Sequence, residues 1–352
     1  MAFSPVPEES KNQINKAGQI LVKDNPTTEE LIWARGLADR WRACHAYPIN
    51  TFNSTLRDKL RDDSDTIVAQ RLKRMPTIID KLKRYPAMQL TTMQDIGGLR
   101  AVLGSVVDVY KLADEYRDNT RFKHELVDEK DYIHKPRSED GYRSLHLIYK
   151  YKNKRNPAYD GLRLELQIRT KLQHTWATAV ETMGTFLGQA LKSRQGDQEW
   201  LDFFAITSSA FAYMEDSNSV PRFKDLSHEE TFSAVAKAEA NLDVLEKMNG
   251  FSFAVHEIVK SRGKGKSWSY HLIILNSLKQ TIQIIPYDRK SFKEAMMSYS
   301  RVEAEAAKGK KIEPVLVSAG PIDELRKAYP NFFLDIRDFM RIVRGIVNKR
   351  KK

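Results

Sequence analysis

Hydrophobic and polar residues alternate along residues 162–169, near the middle of the chain. Strand side chains point alternately to two faces, so the leucines and isoleucine of this run would share one face. The other face would carry charged and amide side chains: Arg163, Glu165, Gln167 and Arg169. We therefore predict a half-buried strand in which Glu165 is the lone carboxylate of the polar face.

Hydrophobic periodicity on both sides of this run predicts further strands and helices. Thr27 and Glu30 form a capping box that indicates where an early helix begins. Apolar runs and helical stripes then predict strands at 99–103 and 122–128 and helices at 51–61, 108–119 and 172–185. The order of elements is typical of a mixed sheet flanked by helices, an α+β fold.

The chain changes character after residue 187. A polar, proline-containing stretch at 218–230 is a candidate boundary, and a helix predicted at 231–248 would serve as a linker. Beyond it the pattern predicts a smaller α+β domain, with strands at 251–261, 268–277, 280–288 and 312–320 and helices at 291–308, 322–329 and 332–347. His256 and His271 lie on predicted strands without carboxylate or cysteine neighbours, so we predict no catalytic site there.

Composition excludes several classes of protein. The 352 residues are 41% hydrophobic and 30% charged, which is typical of a folded protein large enough for two domains. The chain has no run of eighteen apolar residues and no export signal, so we expect no membrane span and a cytoplasmic location. The single cysteine, Cys44, excludes an intrachain disulfide and a cysteine-built zinc site.

The net charge of +12 favours anionic partners, such as nucleotides, tRNA and ribosomes. Charge alone does not separate a nucleotide enzyme from a nucleic-acid binder.

The residues that precede Glu165 add candidate chemistry. Arg143 and His146 fall at the start of the neighbouring predicted strand, and the loop before it contains Arg137 and Tyr142. A carboxylate among cations, an imidazole and an aromatic ring suits a polyphosphate, its metal ion and a stacked base. The alternative is an ordinary charged sheet surface.

A second group of charged residues precedes and enters the strand at 99–103. Its basic members, which would cradle phosphate, are Arg71, Lys73 and Lys81. Asp95 comes just before the strand, where a carboxylate often binds magnesium. Arg100 lies on the strand itself and needs an anionic or stacked partner. The alternatives are a solvated basic face and a simple turn at Asp95.

Together these motifs resemble the synthetase domain of the RelA/SpoT family. They are R-x-K at Arg71 and Lys73 with Lys81 eight residues later, D-I-G-G-L-R at 95–100, K-D-Y-I through G-Y-R-S-L-H at 130–146, and L-E-L-Q-I-R-T at 164–170. The resemblance covers roughly residues 50–185. The histidine–aspartate pair of that family's hydrolase domain does not precede it, so the chain resembles a synthetase without its own hydrolase.

The resemblance implies transfer of the β,γ-pyrophosphate of ATP to a ribose 3′-hydroxyl, with Mg²⁺ as cofactor. By matching position, the ATP-binding residues would be Arg71 and Arg100 at the adenine and Lys73 and Lys81 at the phosphates. Asp95 and Glu165 would be the catalytic residues and the metal ligands, with Glu165 also accepting the proton of the attacking hydroxyl. The acceptor-binding residues would be Tyr142, stacked on the base, with His146, Arg137 and Arg143.

The loop before Gly141 departs from the family pattern. It reads S-E-D, where members that accept a nucleotide often have an asparagine. Asp140 would repel the phosphates of GDP or GTP. We therefore expect the 3′ end of tRNA as the acceptor, in preference to a free guanine nucleotide.

The architecture as a whole resembles toxic small alarmone synthetases of the fused, CapRel-like type. In that type the modified tRNA stops translation, and the C-terminal region keeps the toxin inactive until a phage protein is sensed. The implied segments are an N-terminal helical extension (1–49), the synthetase domain (50–186), a helical region and linker (187–248) and a C-terminal α+β regulatory domain (249–352).

Two alternative functions stay open. One is an alarmone synthetase that makes (p)ppGpp from GDP or GTP in the stringent response. The other is a catalytically inactive module that binds RNA or a nucleotide. Recognition of a DNA sequence is not expected in either case.

Overall fold

The structure is a computed structural model that describes most of the chain. The described residues are 3–63, 65–118, 122–186, 191, 196–245, 248, 269–276, 281–310, 312–318 and 337–349. The strand predicted at 251–261, with His256, and the helix predicted at 322–329 lie outside these residues.

Ten α-helices and eight strands follow one another within the described residues. In chain order they are α1 (Lys11–Ile20), α2 (Thr28–Cys44), α3 (Ala46–Lys59), β1 (Ile67–Leu72), α4 (Met75–Arg84), β2 (Gly97–Leu103), α5 (Val106–Arg117), β3 (Glu125–Asp131), β4 (Leu145–Lys150), β5 (Arg163–Thr170), α6 (Lys171–Phe186), α7 (Gln198–Met214), α8 (His228–Leu242), β6 (Tyr270–Asn276), β7 (Thr281–Tyr287), α9 (Phe292–Ala307), β8 (Ile312–Ser318) and α10 (Arg337–Lys349). None of these helices is long and apolar enough to cross a membrane.

Two features at the start of the chain follow directly from local sequence. Thr27 and Glu30 form the predicted capping box of α2, each side chain accepting a hydrogen bond from the other residue's backbone N–H. Helix α3 begins at Ala46, earlier than the predicted residue 51. Pro48 lies in the first turn of α3. A proline fits there because the first N–H groups of a helix have no partner within the helix.

The described strands form one mixed sheet in the order β3-β4-β5-β2-β1-β8-β6-β7. Strands β2 and β5 run parallel, and the other neighbouring pairs are antiparallel. The predicted mixed sheet flanked by helices is confirmed. The parallel pair places Gly98 beside Glu165 and Arg100 beside Gln167. The two motifs that carry Asp95 and Glu165 are therefore neighbours in the sheet.

The C-terminal strands β6–β8 extend this sheet. Strand β8 pairs with β1 at Val317 and Arg71, so it covers an edge that the first five strands would otherwise leave open. Helix α10 packs elsewhere, in a core with α6, α7 and α8 that includes Trp176, Phe204 and Phe339. The C-terminal region therefore shares a sheet with the first part of the chain and a hydrophobic core with its middle.

The N-terminal helices share the core of the first five strands. Ile14 of α1, Trp41 of α2 and Phe52 of α3 are buried together with strand residues such as Leu166. His45, between α2 and α3, is buried as well, and its Nδ1–H donates a hydrogen bond to the Trp41 carbonyl, 2.8 Å away. This buried, hydrogen-bonded environment is that of a structural histidine.

At Gly97, α3 packs directly against the sheet. A Cβ atom at Gly97 would lie 2.5 Å from Leu164 Cδ2 and 3.0 Å from Ile49 Cγ1. A Cβ atom at Gly98 would meet its nearest neighbour, Arg71, at 3.8 Å, which is an ordinary contact. Close packing therefore requires glycine at residue 97 and tolerates a side chain at residue 98.

We expect Gly97→Ala to lower the free energy of unfolding by about 1–3 kcal/mol, the usual cost of overpacking a core. Gly98→Ala is the matched control and should not destabilise the protein, because a strand interior favours alanine over glycine. Urea unfolding of the full chain measures both variants. Equal stability of the two would contradict the packing of α3 described above.

Candidate active site

Strand register brings the predicted site residues of four strands to one face of the sheet. Arg71 of β1 lies opposite Gly98 of β2, and Gly98 lies beside Glu165 of β5. His146 of β4 lies opposite Gln167, two residues beyond Glu165. Since side chains two residues apart in a strand share a face, Arg71, Arg100, Glu165 and His146 all lie on this one. We call it the polar face.

Asp95 lies at one end of this face, between two lysines. Lys73 Nζ donates to Asp95 Oδ2 at 2.7 Å, and Lys81 Nζ donates to Asp95 Oδ1 at 3.0 Å. Lys73 follows β1, and its backbone N–H donates to the Ile96 carbonyl, which fixes it beside the start of β2. Lys81 comes from the last turn of α4. The structure thus brings together the carboxylate and both lysines of the predicted phosphate cradle.

These ion pairs shift the pKa values of the groups that form them. Burial would raise the pKa of Asp95, but the charges of Lys73 and Lys81 outweigh burial and hold that pKa far below its usual value. Burial lowers the pKa of Lys73, and Asp95 opposes this change. Asp95 is therefore ionised at neutral pH and shares two cations.

A second hydrogen-bonded group joins Tyr142, His146 and Glu165. His146 Nδ1 lies 3.0 Å from Glu165 Oε1, and His146 Nε2 lies 2.8 Å from the Tyr142 hydroxyl. Burial would lower the pKa of His146, but Tyr142 and Glu165 raise it to about 9. As an imidazolium at neutral pH, His146 donates from both ring nitrogens. Burial would raise the pKa of Glu165, and His146 outweighs it, so Glu165 stays ionised.

The donor set of the polar face fits a magnesium ion. Asp95 comes two residues before β2, and Gly98 of β2 lies beside Glu165 of β5, so the two carboxylates belong to the same end of the β2–β5 pair. Mg²⁺ is usually bound by one or two protein carboxylates, with phosphate and water oxygens completing its shell. Within the described residues no group of three or more histidines, cysteines or carboxylates would hold a metal by itself. Asp95 and Glu165 are the residues that would hold Mg²⁺, which would neutralise phosphate charge there.

The charge of Asp140 is compensated within its loop, so the expected repulsion of acceptor phosphates no longer applies. Its side chain is buried, and Arg137 donates to both carboxylate oxygens, from Nε at 3.1 Å and from Nη2 at 2.5 Å. The carboxylate also accepts the Tyr142 backbone N–H at 3.0 Å. Asp140 is therefore a neutralised part of the loop.

Arg137 also contacts Tyr142 directly. Its guanidinium lies over the Tyr142 ring, 4.5 Å from the ring centroid. Arg137 and Tyr142 are thus brought together with His146, as the predicted acceptor site requires. A base that stacks on Tyr142 would have to share or replace this cation–π contact.

Arg143 is not brought to the polar face with the other predicted acceptor-binding residues. Its guanidinium is buried and donates to Glu215 at 2.7 Å. The same carboxylate accepts the hydroxyl of Thr170, which points to the opposite face of β5 from Glu165. The ion pair therefore fixes Arg143 behind the sheet.

Sequence reasoning missed several neighbours of the site. Gln167 donates to Glu165 Oε2 at 2.7 Å, and the Tyr132 ring packs edge-on against Tyr142 and His146. Arg169 is buried at the far end of the same face and contacts His174 of α6. The alternation of β5 already placed Gln167 and Arg169 on the polar face. No local pattern indicates the contacts of Tyr132 or His174.

Comparison with known proteins finds similarity in the part of the chain that contains this site. The family model described as a region found in RelA / SpoT proteins matches residues 70–184. The GTP pyrophosphokinase YjbM of Bacillus subtilis is 31% identical over 150 residues, which cover 42% of this chain and 70% of that protein. The GTP pyrophosphokinase YwaC of the same bacterium is 31% identical over 114 residues, which cover 31% of this chain and 52% of that protein.

Among solved structures, small alarmone synthetase 1 from Bacillus subtilis, bound to its product pppGpp, superposes with a TM-score of 0.44 at 24% identity. The overlap covers 51% of this chain and 92% of that one. The predicted site residues, from Arg71 to Glu165, all fall inside the matched region, whereas α7 and everything after it lie beyond the family model.

We expect Glu165→Gln to lower the pKa of His146 by about 1–3 units, the usual effect of a carboxylate at hydrogen-bonding distance. Histidine NMR titration without metal or nucleotide measures it. His45 is the internal control, because burial lowers its pKa to about 4 and it lies in another part of the core. Because His146 binds its proton more tightly in the folded state, its protonation stabilises the fold. This contribution is fully present below about pH 6.5 and is lost as the pH rises through about 9. An unchanged His146 titration would refute the pairing with Glu165.

Proposed function

Because the chain belongs to the RelA/SpoT family, we propose that it is a pyrophosphotransferase, which moves the β,γ-pyrophosphate of ATP to a ribose 3′-hydroxyl. One observation carries the proposal. Asp95, paired with Lys73 and Lys81, comes just before β2, and Glu165, paired with His146 and through it with Tyr142, lies on the parallel strand β5 beside β2. Transfer of a phosphoryl-type group needs positioning and charge neutralisation, and this arrangement supplies both.

The positions of Arg71 and Arg100 support an adenine site between them. Arg71 pairs with Gly98, and Arg100 is two residues further along β2, so the two arginines are diagonal neighbours on one face. Diagonal neighbours in a sheet lie about 7–8 Å apart. This is about twice a van der Waals contact of 3.5–4.0 Å, which suits a flat purine between two guanidinium groups. Lys73 and Lys81 would then bind the phosphates.

In the proposed reaction the acceptor's 3′-oxygen forms a bond to the β-phosphorus of ATP. The bond between that phosphorus and the oxygen bridging to the α-phosphate breaks, and AMP leaves. The hydroxyl proton passes to Glu165 as general base. The Glu165 oxygens each accept one hydrogen bond, from His146 and Gln167, and each keeps a lone pair that can accept the hydroxyl of the acceptor. His146, as an imidazolium, would stay beside the reacting oxygens and stabilise their negative charge.

A guanine nucleotide, GDP or GTP, is the acceptor that the observations favour. The two relatives YjbM and YwaC carry the name GTP pyrophosphokinase. The argument against a free nucleotide rested on repulsion by Asp140, and Arg137 neutralises that carboxylate. Tyr142 would stack on the guanine, with Arg137 and His146 at the ribose or its phosphates. The product would be (p)ppGpp.

The test supplies α-labelled or γ-labelled ATP with Mg²⁺ to the full chain and offers GDP, GTP and bulk tRNA separately. We expect the γ label on the guanine nucleotide and the α label in AMP, because pyrophosphate moves as a unit. Formation of ADP would contradict pyrophosphate transfer. Absence of label in every product would favour the inactive binding module.

Glu165→Gln should lower kcat by about 10²–10⁴-fold, the usual contribution of a general base. Glu125→Gln, at an exposed site on β3, is the matched control and should leave kcat unchanged. Unfolding midpoints of both variants show whether the fold is intact. Retained activity in Glu165→Gln would rule out the general-base role.

The second candidate is a tRNA-modifying toxin that its own C-terminal region holds inactive until a phage protein releases it. A contact between that region and the ATP side of the site favours it. Glu303 of α9 is fully buried and accepts the backbone N–H of Met75, the first residue of α4, at 2.6 Å. Arg42 and Arg35 of α2 donate to the same carboxylate. Helix α4 carries Lys81, and β8 pairs with β1 at Arg71.

If this contact is inhibitory, Glu303→Gln should weaken it and increase toxicity on expression. Glu305→Gln, exposed on the same helix, is the matched control. The double variant that also carries Glu165→Gln should be harmless, because it lacks the proposed general base. This control shows that toxicity depends on catalysis and not on misfolding. Equal toxicity of the wild type and Glu303→Gln, with equal labelling of tRNA, would exclude inhibition through this contact.

A further inference from the structure

The loop that carries Tyr142, residues 134–143, is held by a segment that lies beyond the family match. This segment, residues 205–222, comprises most of α7 and the turn that follows, and we call it the α7 segment. Its side chains donate to three carbonyl groups of the loop. Ser208 Oγ donates to Gly141 O at 2.6 Å, Asn218 Nδ2 to His134 O at 2.6 Å, and Arg222 Nη2 to Glu139 O at 3.4 Å.

Gly141 shows how closely α7 packs on the loop. Its φ angle is +77°, a conformation that favours glycine, and a Cβ atom there would lie 2.8 Å from Ala205 Cα and 2.9 Å from Ser208 Cβ. At Gly141 the loop backbone therefore contacts α7 directly, because glycine has no side chain to separate them.

On the other side of Tyr142, Arg143 connects the loop to Glu215 at the end of α7. Arg143 donates to Glu215 at 2.7 Å and to the hydroxyl of Ser217. Glu215 also accepts from the Thr170 hydroxyl and from the Gln173 amide, at 3.2 Å for the amide. One largely buried carboxylate thus ties the loop to the end of β5 and the start of α6.

Tyr142 lies between these two attachments. Gly141, before it, is held by Ser208, and Arg143, after it, is held by Glu215. The Tyr142 ring also faces Trp176 at 6.4 Å, and the Trp176 indole N–H donates to the carbonyl of Phe204 in α7 at 2.7 Å. Contacts with α7 and the turn after it therefore lie on both sides of the residue that would stack on the acceptor base.

We propose that the α7 segment positions the acceptor-binding loop and that Glu215 is its chief positioning residue, acting through Arg143. Glu215 touches neither substrate nor reacting atoms in this proposal. The inference rests on the proposed function for the identity of the ligand at Tyr142. It adds that the acceptor side of the site depends on a part of the chain outside residues 70–184.

The first measurement compares the KM for the acceptor with the KM for ATP in Glu215→Gln. Glutamine keeps the shape and loses the charge, so the ion pair with Arg143 is removed while the site stays filled. We expect the KM for GDP or GTP to rise about tenfold, which corresponds to about 1.4 kcal/mol, with the KM for ATP unchanged. Glu215→Asp should restore part of the loss, and Glu199→Gln, exposed in the first turn of α7, is the matched control.

The second measurement is independent of activity. The backbone N–H of Gly141 donates to Arg137 O, and that of Tyr142 donates to Asp140. Amide hydrogen exchange at these two residues therefore reports on the loop. We expect it to be at least about tenfold faster in Glu215→Gln, with exchange in β5 unchanged and no effect of Glu199→Gln.

Unchanged exchange in the loop, or equal rises in both KM values, would overturn the proposal. If the wild type labels neither guanine nucleotide nor tRNA, the proposed function fails, and exchange alone then decides whether Glu215 positions the loop. Should Glu215→Gln not fold, Ser208→Ala removes the other attachment and is measured in the same two ways.

Discussion

The candidate site depends on one electrostatic constraint, which is that largely buried carboxylates need cationic partners. Asp95 is held by Lys73 and Lys81, and Glu165 is held by His146. Leaving such a charge unpaired costs several kcal/mol, so each cation can leave its carboxylate only when another takes its place. Under the proposed function, Asp95 would hold Mg²⁺ in place of the lysines, and Lys73 and Lys81 would hold the phosphates. The proposed function therefore requires the metal and the nucleotide to bind together.

The same constraint explains which parts of the site the sequence could predict. Arg71, Arg100, His146 and Glu165 lie on strands, where the period of two determines the face to which each side chain points, so their convergence follows from alternation and register. Asp140 and Arg143 lie in a loop, which has no such period. Their directions are determined by Arg137, three residues away, and by Glu215, 72 residues away. A local pattern carries no information about Glu215, so the direction of Arg143 could not be predicted from the sequence.

A similar limit applies to the C-terminal strands. Periodicity predicted β6, β7 and β8 near their observed positions, because apolar strand patterns are local. It could not predict that β8 pairs with β1, since the open edge of a sheet offers the same backbone groups to any strand. The burial of Glu303 is equally non-local, because its partners Arg42 and Met75 come from helices more than two hundred residues earlier. Such contacts can be found only once the fold is known.

The two substrate sides of the site are thereby held by different parts of the chain. The proposed acceptor side contacts the α7 segment, and the proposed ATP side contacts α9 and β8. The contacts of α9 with α4 and α2 have a specific energetic consequence. If α9 moved away, the Met75 N–H at the start of α4 would lose its acceptor, and Arg42, which is 2% exposed, would keep only its contact with Asp39. Because an uncompensated buried charge is costly, movement of α9 is favourable only if a new anion replaces the Glu303 carboxylate or if water reaches Arg42. A partner that takes the place of α9 and keeps water from Arg42 would therefore need a carboxylate or phosphate group to place there.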